Sequence, residues 1–511
     1  RMCLVEVGER KPDGTIAMQK TMTGENKVVP ACQTPARDNT VIVAHDHGAK
    51  KAQADSLEAL LLNHPLDCPV CDKAGECMLQ DHSYHHGYSQ TRMIEEKFSP
   101  PNKPYIGNNV TLFTDRCIMC SRCVRFTREV SGQAELQVTH RGHHAEIDIF
   151  PGEPLNNKLA SNVVDLCPVG SLCSKDFLYK QRVWYLKTQK SVCADCSTGC
   201  SIFLDGNKNI VYRLRPRENP LAQGYFMCDD GRLGYHYVNS PERITAPRIR
   251  RGADQAPASW AEVIRGLRQE LADVVKRDAS AVLGVVSPFL TCEEAYLFAK
   301  YLKGLSEEVR LALGPVPVVG EDDTYPKDRR GRPIQPVQFT IRAEKCPNRR
   351  GVEEVLRHFQ GDVIRFDEAV RSAEAGQLQA LYLAAGYPPR PDGWVSEQQA
   401  ASLKKVPLLV VQDLLPSPIS GHAKYLIPAG AWAEKDGTFV NHAGLAQAIR
   451  WAVTPTGETH TDGQVFLDLL ERRGLAHAPT LRKELAQEVP FFAALAAAEI
   501  GEHGIPLTPA H

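Results

Sequence analysis

Net charge and long apolar segments are both nearly absent from this chain. Lys and Arg together number 60 and Asp and Glu number 61, so no overall field attracts nucleic acid or an anionic membrane surface. The longest apolar runs, such as 281–290 and 406–415, reach about half of the roughly 20 residues that cross a bilayer. We therefore expect no nucleic-acid partner and no direct membrane span.

Motifs of several enzyme classes are also missing. The sequence has no Walker A loop, no Gly-x-Gly-x-x-Gly after a strand pattern, no Gly-x-Ser-x-Gly and no His-Glu-x-x-His. We therefore expect neither the nucleotide sites nor the hydrolytic chemistry that these motifs provide. Basic runs such as 327–332 are better explained as solvated loop charges or partner contacts than as a nucleic-acid site.

Cysteine is scarce in the second half of the chain and abundant in the first. Fourteen of the 16 cysteines precede residue 229, and only Cys292 and Cys346 follow. The gaps of two and three residues within the cysteine clusters are typical of metal sites, not of a disulfide framework, and they favour a reducing compartment. The two halves of the chain therefore have different roles.

The strongest motif is three closely spaced cysteines with a distant fourth, which we name the Cys117 set. Its members are Cys117, Cys120, Cys123 and Cys167, the last of them followed by Pro168. Three cysteines with two residues between neighbours can supply three thiolate ligands to a cubane cluster, and a distant Cys-Pro can supply the fourth, as in bacterial ferredoxins. Zinc is the alternative, but zinc sites usually use two separated Cys pairs. The spacing favours a [4Fe–4S] cluster.

A second set of four cysteines follows, which we name the Cys193 set. It consists of Cys193, Cys196, Cys200 and Cys228, and four thiolates suffice for another [4Fe–4S] cluster. Taken alone, the set is also compatible with a zinc ribbon. Its spacing and the continuation 229–235 resemble the amino-terminal cluster domain of molybdenum and tungsten oxidoreductases, which favours iron–sulfur.

The third set, the His64 set, offers one imidazole and three thiolates: His64, Cys68, Cys71 and Cys77. A lone histidine is usually a surface or core residue, but the context 63–69 favours a ligand here. An imidazole in place of a thiolate removes one negative charge from a cluster, which raises its reduction potential relative to an all-cysteine site. We predict a third [4Fe–4S] cluster.

Other cysteines and histidines in these regions match no ligand pattern. The cysteines are Cys173, Cys292 and Cys346, and the histidines are His82, His85 and His86. Small buried thiols are common, so we interpret these cysteines as structural. We expect the histidines to lie in a solvated loop.

From about residue 246 the pattern changes to alternating strands and helices. Buried strands are predicted at 281–287, 378–385 and 408–411, and helices after the capping sequences Ser259-x-x-Glu262 and Thr291-x-x-Glu294. This alternation indicates a parallel α/β sheet. The Pro-rich stretch 314–336 is expected to be an exposed loop or an insertion.

The order of the ligand sets resembles that of one known family. The His64 pattern followed by the Cys117 pattern is the cluster order of the large iron–sulfur subunit of respiratory complex I, the NADH-quinone oxidoreductase. Related diaphorase and iron-hydrogenase subunits share the first part. The stretch 426–441, with Trp432-Ala-Glu-Lys-Asp-Gly-Thr438, also looks like the complex I form of the α/β region. The chain thus resembles the family of these large subunits, of about 75 kDa.

This resemblance implies a further cluster near the start of the chain. In that family a plant-type [2Fe–2S] ferredoxin domain comes first, with a Cys-Arg-Met-Cys pair and a later Pro-Ala-Cys. This chain begins Arg1-Met2-Cys3 and continues with Pro30-Ala31-Cys32. By this match Cys3 and Cys32 are the third and fourth [2Fe–2S] ligands, and the chain is expected to be truncated after the first two. Two ordinary buried cysteines are the alternative.

The resemblance also implies a fold of multidomain α+β and α/β type. Ferredoxin-like iron–sulfur modules in series would precede a degenerate molybdopterin-oxidoreductase-like α/β region without molybdenum. The implied domains are a [2Fe–2S] remainder at 1–50, the His64 domain at 51–100, the Cys117 domain at 101–185, the Cys193 domain at 186–245 and the α/β region at 246–511.

The implied function is electron relay within complex I. The clusters would carry electrons from NADH, through the FMN of a flavoprotein subunit, toward quinone, while the whole complex translocates protons. Partners would be that flavoprotein and other peripheral-arm subunits, on the cytoplasmic side of the inner (plasma) membrane. No stand-alone active site is expected in this chain.

Two other functions remain open from the sequence. The chain could be the amino-terminal part of a molybdenum-dependent, formate-dehydrogenase-like enzyme, although Cys292 and Cys346 are the only late cysteines and neither has the context of a metal ligand. It could also be a zinc-stapled scaffold. Metal analysis would separate all three.

Overall fold

A computed structural model of the chain describes residues 3–497 and 499–507. The chain divides into two compact units. The first comprises Arg1–Tyr185 and the short segment Asp328–Gly331, and the second comprises Leu186–Lys327 and Arg332–His511. Arg1 and Met2 of the amino-terminal motif lie outside the described residues.

The first unit begins with a small antiparallel sheet and two helices. The strands are β1 (Leu4–Arg10), β2 (Ile16–Met18), β3 (Val28–Pro30) and β4 (Thr40–Val43), and β1 pairs with each of the others. The helices are α1 (His47–Leu61) and α2 (Met78–His86). The Asp46 carboxylate caps α1 by accepting a 2.7 Å hydrogen bond from the backbone N–H of His47, and Leu57 lies on its buried face.

The rest of the first unit consists of short elements around the Cys117 set. They are β5 (Val110–Leu112), α3 (Arg122–Glu129), β6 (Leu136–Thr139), β7 (Glu146–Ile149), α4 (Asn162–Leu166) and β8 (Leu172–Ser174). Strands β5 and β8 pair antiparallel, as do β6 and β7. Because these elements are short, Cys117 and Cys120 lie in the loop before α3, and Cys167 lies at the end of α4.

The second unit opens with a three-stranded antiparallel sheet and one short helix. The elements are β9 (Lys187–Val192), β10 (Ser201–Asn207), β11 (Ile210–Pro216) and α5 (Asp229–Leu233). Strand β10 lies in the centre of the sheet. Its inward residues Ile202 and Leu204 are fully buried.

The α/β region that follows alternates strands and helices. Its strands are β12 (Arg248–Arg251), β13 (Asp254–Pro257), β14 (Val282–Val286), β15 (Arg310–Leu313), β16 (Asp323–Tyr325), β17 (Phe339–Ile341), β18 (Ile364–Arg365), β19 (Ala380–Ala384), β20 (Leu408–Asp413), β21 (Tyr425–Pro428), β22 (Gly437–Val440), β23 (Leu445–Ile449) and β24 (Ile505–Pro506). Its helices are α6 (Trp260–Arg277), α7 (Cys292–Leu305), α8 (Arg349–Gln360), α9 (Phe366–Glu374), α10 (Glu397–Leu403), α11 (Asp462–Leu469) and α12 (Ala478–Glu488). No helix in the described part of the chain is long and apolar enough to cross a membrane.

Eight of these strands form one sheet, in the order β13-β12-β21-β20-β19-β14-β15-β18. The six strands from β21 to β18 pair in parallel, whereas β12 and β13 add an antiparallel edge. The chain crosses from β14 to β15 and β18 on one side and then returns to β19, β20 and β21 on the other. The order of the strands therefore reverses between β14 and β19.

Alternate residues of the central strands enter two different hydrophobic cores. In β14, Val282 and Val286 belong to one core, whereas Leu283 and Val285 belong to the other. Because side chains alternate across a strand, the two cores lie on opposite faces of the sheet. Helices α6, α7, α8, α11 and α12 contribute to the first core, and α9 and α10 contribute to the second. Three layers with a doubly covered parallel sheet result.

The predicted strands and helix starts of the α/β region are confirmed. The predicted strands correspond to β14, β19 and β20. Thr291 and Glu294 form a reciprocal capping box at α7. Ser259 caps α6 by accepting from the Glu262 N–H, but the box is only half formed, because the Glu262 carboxylate pairs with Arg251.

Two sequence-based expectations need correction, and one helix was not predicted. The stretch 314–336 is not wholly an exposed loop, since β16 lies within it and Tyr325 is buried against β17. His82, His85 and His86 lie on helix α2 instead of a loop. The first half also contains the 15-residue helix α1, although its sequence shows little amphipathic period. Its buried positions are mostly alanines, which give a weak periodic signal.

Buried ion pairs connect the motif 432–438 to other segments of the second unit. The Lys435 Nζ atom lies 2.8 Å from Glu294 Oε2 and 2.8 Å from Asp462 Oδ2, and the side chains are at most 5% exposed. The neighbouring Glu434 pairs with Arg243 at 2.8 Å, also fully inside. Burying an ion pair costs free energy of desolvation. Removing one partner of a buried pair is strongly destabilising, because the remaining charge is left without a counter-charge.

Candidate iron–sulfur centres

The His64 set lies in the loop between α1 and α2. Cys77 is the N-cap residue of α2, Cys71 and Cys77 are buried, and Cys68 is exposed. A cavity of about 470 Å³ opens beside His64, Cys68 and Cys77. The loop therefore offers both ligating side chains and space next to them.

His64 is prepared to act as a neutral ligand. Burial lowers the pKa of its imidazole, and the nearby cations of Lys97 and Arg116 lower this pKa further. Neutral imidazole is the form that binds metals. Within the described part of the chain, His64 Nδ1 is among the buried side-chain atoms without a hydrogen-bond partner, which fits a site that a ligated group would complete.

The Cys117 set surrounds a single cavity, lined by all four of its cysteines. Cys123 lies on α3, Cys117 and Cys120 lie in the preceding loop, and Cys167 ends α4. Left-handed backbone at Met119 (φ 52°) and at the residue after Cys120 turns this loop tightly. The Met119 N–H donates to Cys117 Sγ at 3.4 Å, a bond typical of the amides around cluster sulfurs.

Three thiols of the Cys117 set, those of Cys117, Cys123 and Cys167, have a raised pKa. Burial, together with the other thiols of the set, raises the pKa of Cys117 to about 11 and that of Cys123 to about 12. Thiolates are the form that binds iron, so bound iron would supply the positive charge that offsets this penalty. A cluster at this set would therefore have to hold these buried sulfurs in their thiolate form.

The segment after Cys167 reaches the His64 set. The carbonyl oxygen of Pro168 lies 3.8 Å from Cys77 Sγ. A Cβ atom on Gly170 would lie only 2.1 Å from Cys71 Sγ, so only glycine leaves room for that sulfur. The segment that follows Cys167 therefore contacts two cysteines of the His64 set.

Cys173 follows on the same segment and is buried. Burial, and then the nearby Cys71 and Asp72, raise the pKa of its thiol to about 12. Its Sγ lies 3.5 Å from the carbonyl oxygen of Gly170, to which the thiol can donate a weak hydrogen bond. This partner suits the structural role predicted for it.

The Cys193 set is the most deeply buried of the three. Its four cysteines are 3–5% exposed. Cys193 and Cys200 flank the turn between β9 and β10 and are joined by a 2.8 Å backbone hydrogen bond, and Cys228 caps α5. A Cβ atom on Gly231 would lie 2.8 Å from Cys193 Sγ and 3.4 Å from Cys228 Sγ, so two ligands converge on a space that only glycine leaves open.

Residues of the α/β region cover the loop of the Cys193 set. The Ser197 N–H donates to the Glu344 carbonyl at 3.0 Å, and the Thr198 hydroxyl donates to the Thr340 carbonyl at 2.7 Å. The Asn441 side-chain amide donates to the Thr198 carbonyl at 3.0 Å. This cover belongs to the same compact unit as the loop.

Two charged residues from distant segments lie beside Asp195, inside this loop. Lys345 Nζ is 3.5 Å from Asp195 Oδ2, and an Arg390 guanidinium nitrogen is 3.4 Å from Asp195 Oδ1. Burial by itself lowers the pKa of Lys345, but Asp195 and the thiols of the set raise it, and the net pKa lies above its ordinary value. Lys345 therefore carries its positive charge at this position.

Cys3 and Cys32 lie close together at the amino-terminal sheet. Their Sγ atoms are 3.3 Å apart, Cys3 immediately before β1 and Cys32 in the turn after β3. Mutual hydrogen bonding lowers the pKa of Cys3. Two thiols so close suit adjacent ligands of one small cluster.

Among the described residues, no three His, Cys, Asp or Glu side chains converge as they would around one metal ion. A [4Fe–4S] cluster is ligated at four separate irons, so its ligands surround a volume instead of a point. Cys292 and Cys346 are fully buried and belong to none of the sets described above. Cys292 Sγ is 3.4 Å from Asn348 Oδ1.

Sequence reasoning missed the residues that support the ligands. Gly170, Gly231, Asp195, Lys345 and Arg390 all contact a ligand or its loop. The two glycines could have been suspected, since each lies three residues from a predicted ligand, Cys167 or Cys228. Lys345 and Arg390 carried no such signal, because they come from remote segments.

Four family models match separate parts of the chain. Residues 53–92 match the NADH-ubiquinone oxidoreductase-G iron-sulfur binding region, residues 107–173 match the ferredoxin-like domain of NADH-quinone oxidoreductase subunit 3, residues 186–240 match the molybdopterin oxidoreductase Fe4S4 domain, and residues 357–472 match molybdopterin oxidoreductase. The chain is therefore a multidomain iron–sulfur protein with a molybdopterin-oxidoreductase-type α/β region. The predicted fold class is confirmed.

More specifically, the chain is similar to proteins named as the G subunit of NADH-quinone oxidoreductase and as the 75 kDa subunit of NADH-ubiquinone oxidoreductase. It is 33% identical over 307 residues to the G subunit of the NADH-quinone oxidoreductase of Streptomyces coelicolor, covering 59% of this chain and 34% of that protein. It is 32% identical over 329 residues to the NADH-ubiquinone oxidoreductase 75 kDa subunit of Reclinomonas americana, covering 64% and 45%. The match thus spans less than half the length of these relatives.

One solved structure also shows a likeness. An NAD+-reducing [NiFe]-hydrogenase in the H2-reduced state aligns with 36% of this chain and 71% of its own, at 22% identity and a TM-score of 0.30. A likeness at this level supports no conclusion about fold or function.

Proposed function

We propose that this chain is an electron-transfer subunit of NADH-quinone oxidoreductase (complex I). It would relay electrons from NADH, through FMN, toward quinone, while the whole complex translocates protons. The observation that carries this proposal is the order of two matches named for that oxidoreductase. Residues 53–92 include the complete His64 set, and residues 107–173 include the complete Cys117 set.

The proposed cofactors are three [4Fe–4S] clusters and one [2Fe–2S] cluster. The cubane ligands would be His64, Cys68, Cys71 and Cys77; Cys117, Cys120, Cys123 and Cys167; and Cys193, Cys196, Cys200 and Cys228. Cys3 and Cys32 would supply two ligands to the [2Fe–2S] cluster. When bound, such clusters accept and release single electrons. The side chains of this chain would bury them, exclude water and donate amide hydrogen bonds to their sulfurs.

The contact between the His64 set and the segment that follows Cys167 supports a relay. Electron tunnelling weakens steeply with distance, so neighbouring centres must be close. Cys77 Sγ lies 3.8 Å from the Pro168 carbonyl oxygen, and Pro168 is bonded to Cys167. A ligand of one proposed cluster is therefore separated from a ligand of the next by one contact and a few bonds.

The proposed domains are those expected from the sequence: 1–50, 51–100, 101–185, 186–245 and 246–511. The four family matches each lie within one of these ranges. The division between compact units after Tyr185 further supports a boundary at that point.

We place the chain in the peripheral arm of the complex, on the cytoplasmic side of the inner (plasma) membrane. Its partners would be the flavoprotein subunit that binds NADH and FMN, together with other peripheral-arm subunits. No stand-alone substrate site is proposed for this chain. The relationship to subunits of an oxidoreductase complex supports this assignment.

A formate-dehydrogenase-like molybdenum enzyme is the second candidate, favoured by the match of 357–472 to molybdopterin oxidoreductase. Ligands of open parallel sheets bind beyond the carboxyl ends of the strands, where the strand order reverses. Here Phe289 and Tyr387 follow β14 and β19 at that point, with ring centroids 5.2 Å apart, and Trp394 stacks on Tyr387 at 5.1 Å. Phe289 and Tyr387 are buried there against each other, which supports the relay assignment.

Anaerobic metal analysis with reductant titration tests the proposal. The purified full chain should contain about 12 irons in cubane clusters, four in each. NADH should reduce them only when the FMN-binding subunit is added. Zinc in place of iron, stoichiometric molybdenum or tungsten, or reduction by formate without a partner would overturn the assignment.

A further inference from the structure

Asp195 places a negative charge inside the loop of the Cys193 set. It lies between Cys193 and Cys196 in the sequence, and it lines the same pocket as Cys193 and Arg390. Reduction of a bound cluster adds one more negative charge in the same buried place. Asp195 alone would therefore oppose reduction.

Two cations from the α/β region lie against this carboxylate. Lys345 approaches Oδ2 at 3.5 Å, while Arg390 approaches Oδ1 at 3.4 Å and the Asp195 carbonyl oxygen at 3.2 Å. The Lys345 side chain is 8% exposed and that of Asp195 is 17% exposed. Charges this poorly solvated act on one another, and on a neighbouring cluster, far more strongly than surface charges do.

The position of Lys345 is fixed by hydrogen bonds on both sides. The residue before it, Glu344, accepts the Ser197 N–H at 3.0 Å. Arg390 donates to the Lys345 carbonyl oxygen at 3.0 Å as well as to Asp195. Arg390 therefore has two roles. Its own guanidinium supplies one of the two positive charges, and its hydrogen bond to the Lys345 carbonyl fixes the backbone of the residue that supplies the second.

Two cations therefore face the one carboxylate that lies inside this loop, while Asp229 and Asp230 follow Cys228 on α5. We propose that Lys345 and Arg390 are positioning residues that raise the reduction potential of the cluster held by this set. The inference rests on the proposed function, because it requires that cluster. A low-potential one-electron donor would give up one electron, the cluster would gain it, and the two cations would stabilise the added charge. The α/β region then tunes a redox centre as well as packing against it.

The test is a redox titration of the full chain, followed by electron paramagnetic resonance. Lys345→Met removes the charge at similar length, and the potential of this cluster should become more negative. A tenfold change in its reduction equilibrium, about 59 mV for one electron, is the expected minimum. Lys345→Arg keeps the charge and should restore the wild-type potential. Asp195→Asn should shift the potential in the positive direction.

The exposed Lys405 provides the matched control, since Lys405→Met changes the net charge equally but should leave the potential unchanged. A wild-type chain without a cluster at the Cys193 set would refute the proposed function itself. A Lys345→Met chain with full iron content and an unchanged potential would refute only the tuning role. If Lys345→Met fails to hold the cluster, Asp195→Asn decides: a positive shift supports the inference, and an unchanged or more negative potential overturns it.

Discussion

Cys77 Sγ lies 3.8 Å from the carbonyl oxygen of Pro168, so a ligand of the His64 set touches the residue bonded to Cys167. Gly170, two residues further on, packs against Cys71 of the same set. One short segment thus closes the Cys117 set and shapes the His64 set. Its sequence is constrained by both sites at once.

Gly170→Ala should damage the His64 centre selectively. The new Cβ atom would lie 2.1 Å from Cys71 Sγ, which must move, whereas Cys167 stays in place. We expect a loss of about four irons per chain, with the signal of the Cys117 centre retained. Iron analysis and electron paramagnetic resonance measure both. Gly304→Ala is the control, because nothing lies within 4 Å of its added Cβ; equal iron loss in both variants would contradict the prediction.

His64→Cys should keep a cluster but lower its reduction potential. A thiolate adds one negative charge where a neutral imidazole stood, which disfavours the reduced state. A redox titration followed by electron paramagnetic resonance measures the shift. His82→Cys, on the adjacent helix α2, should change nothing. An unchanged potential and spectrum in His64→Cys would remove His64 from the ligands.

Lys435→Met should destabilise the α/β region by about 3–5 kcal/mol, the usual cost of breaking a buried ion pair from one side. Glu294 and Asp462 would remain buried with no cation between them. Urea unfolding, monitored by hydrogen exchange in the central strands, measures the change. Lys405→Met removes an exposed lysine and should cost little. Similar losses from both substitutions would argue against a stabilising role for the buried cluster.

Asp413 should make the α/β region less stable as pH rises from about 4 to 7. Burial raises the pKa of this carboxyl to about 7, despite hydrogen bonds from Trp394 and the Leu414 N–H. The folded state therefore retains a proton that the unfolded chain has already lost. Stability is greatest below the unfolded pKa and falls through the folded pKa, by at most about 1.4 kcal/mol per pH unit.

The measurement is the difference in unfolding free energy between wild type and Asp413→Asn, as a function of pH. This difference should change across the window, because the amide does not titrate. Asp392→Asn, at an exposed position, should give a flat difference. A flat difference for Asp413→Asn would show that its carboxyl is not protonated in the folded state.

Local patterns explain why much of this molecule could be predicted from its sequence. The Cys117 and Cys193 ligands are spaced by two or three residues, and the strand at 281–287 is a continuous apolar run, so neighbouring residues carry the information. The capping box at Thr291 is equally local.

Features that depend on long-range contacts could not be predicted. Arg390 meets Asp195 across 195 residues of sequence, and no motif joins them. Helix α1 was missed because small alanines form much of its buried face. Tyr325 lies in a Pro-rich stretch with the composition of a loop, yet it is buried beside β17, a strand that comes later in the chain.

The cover over the Cys193 set has a consequence for biosynthesis. All four of its cysteines precede residue 229, whereas the residues that close over the loop, among them Thr340, Glu344 and Asn441, come later. During translation, the four cysteines are therefore synthesised before the residues that cover their loop. Loading of the proposed cluster into a finished chain would therefore require these covering residues to open locally, whereas loading during translation would not.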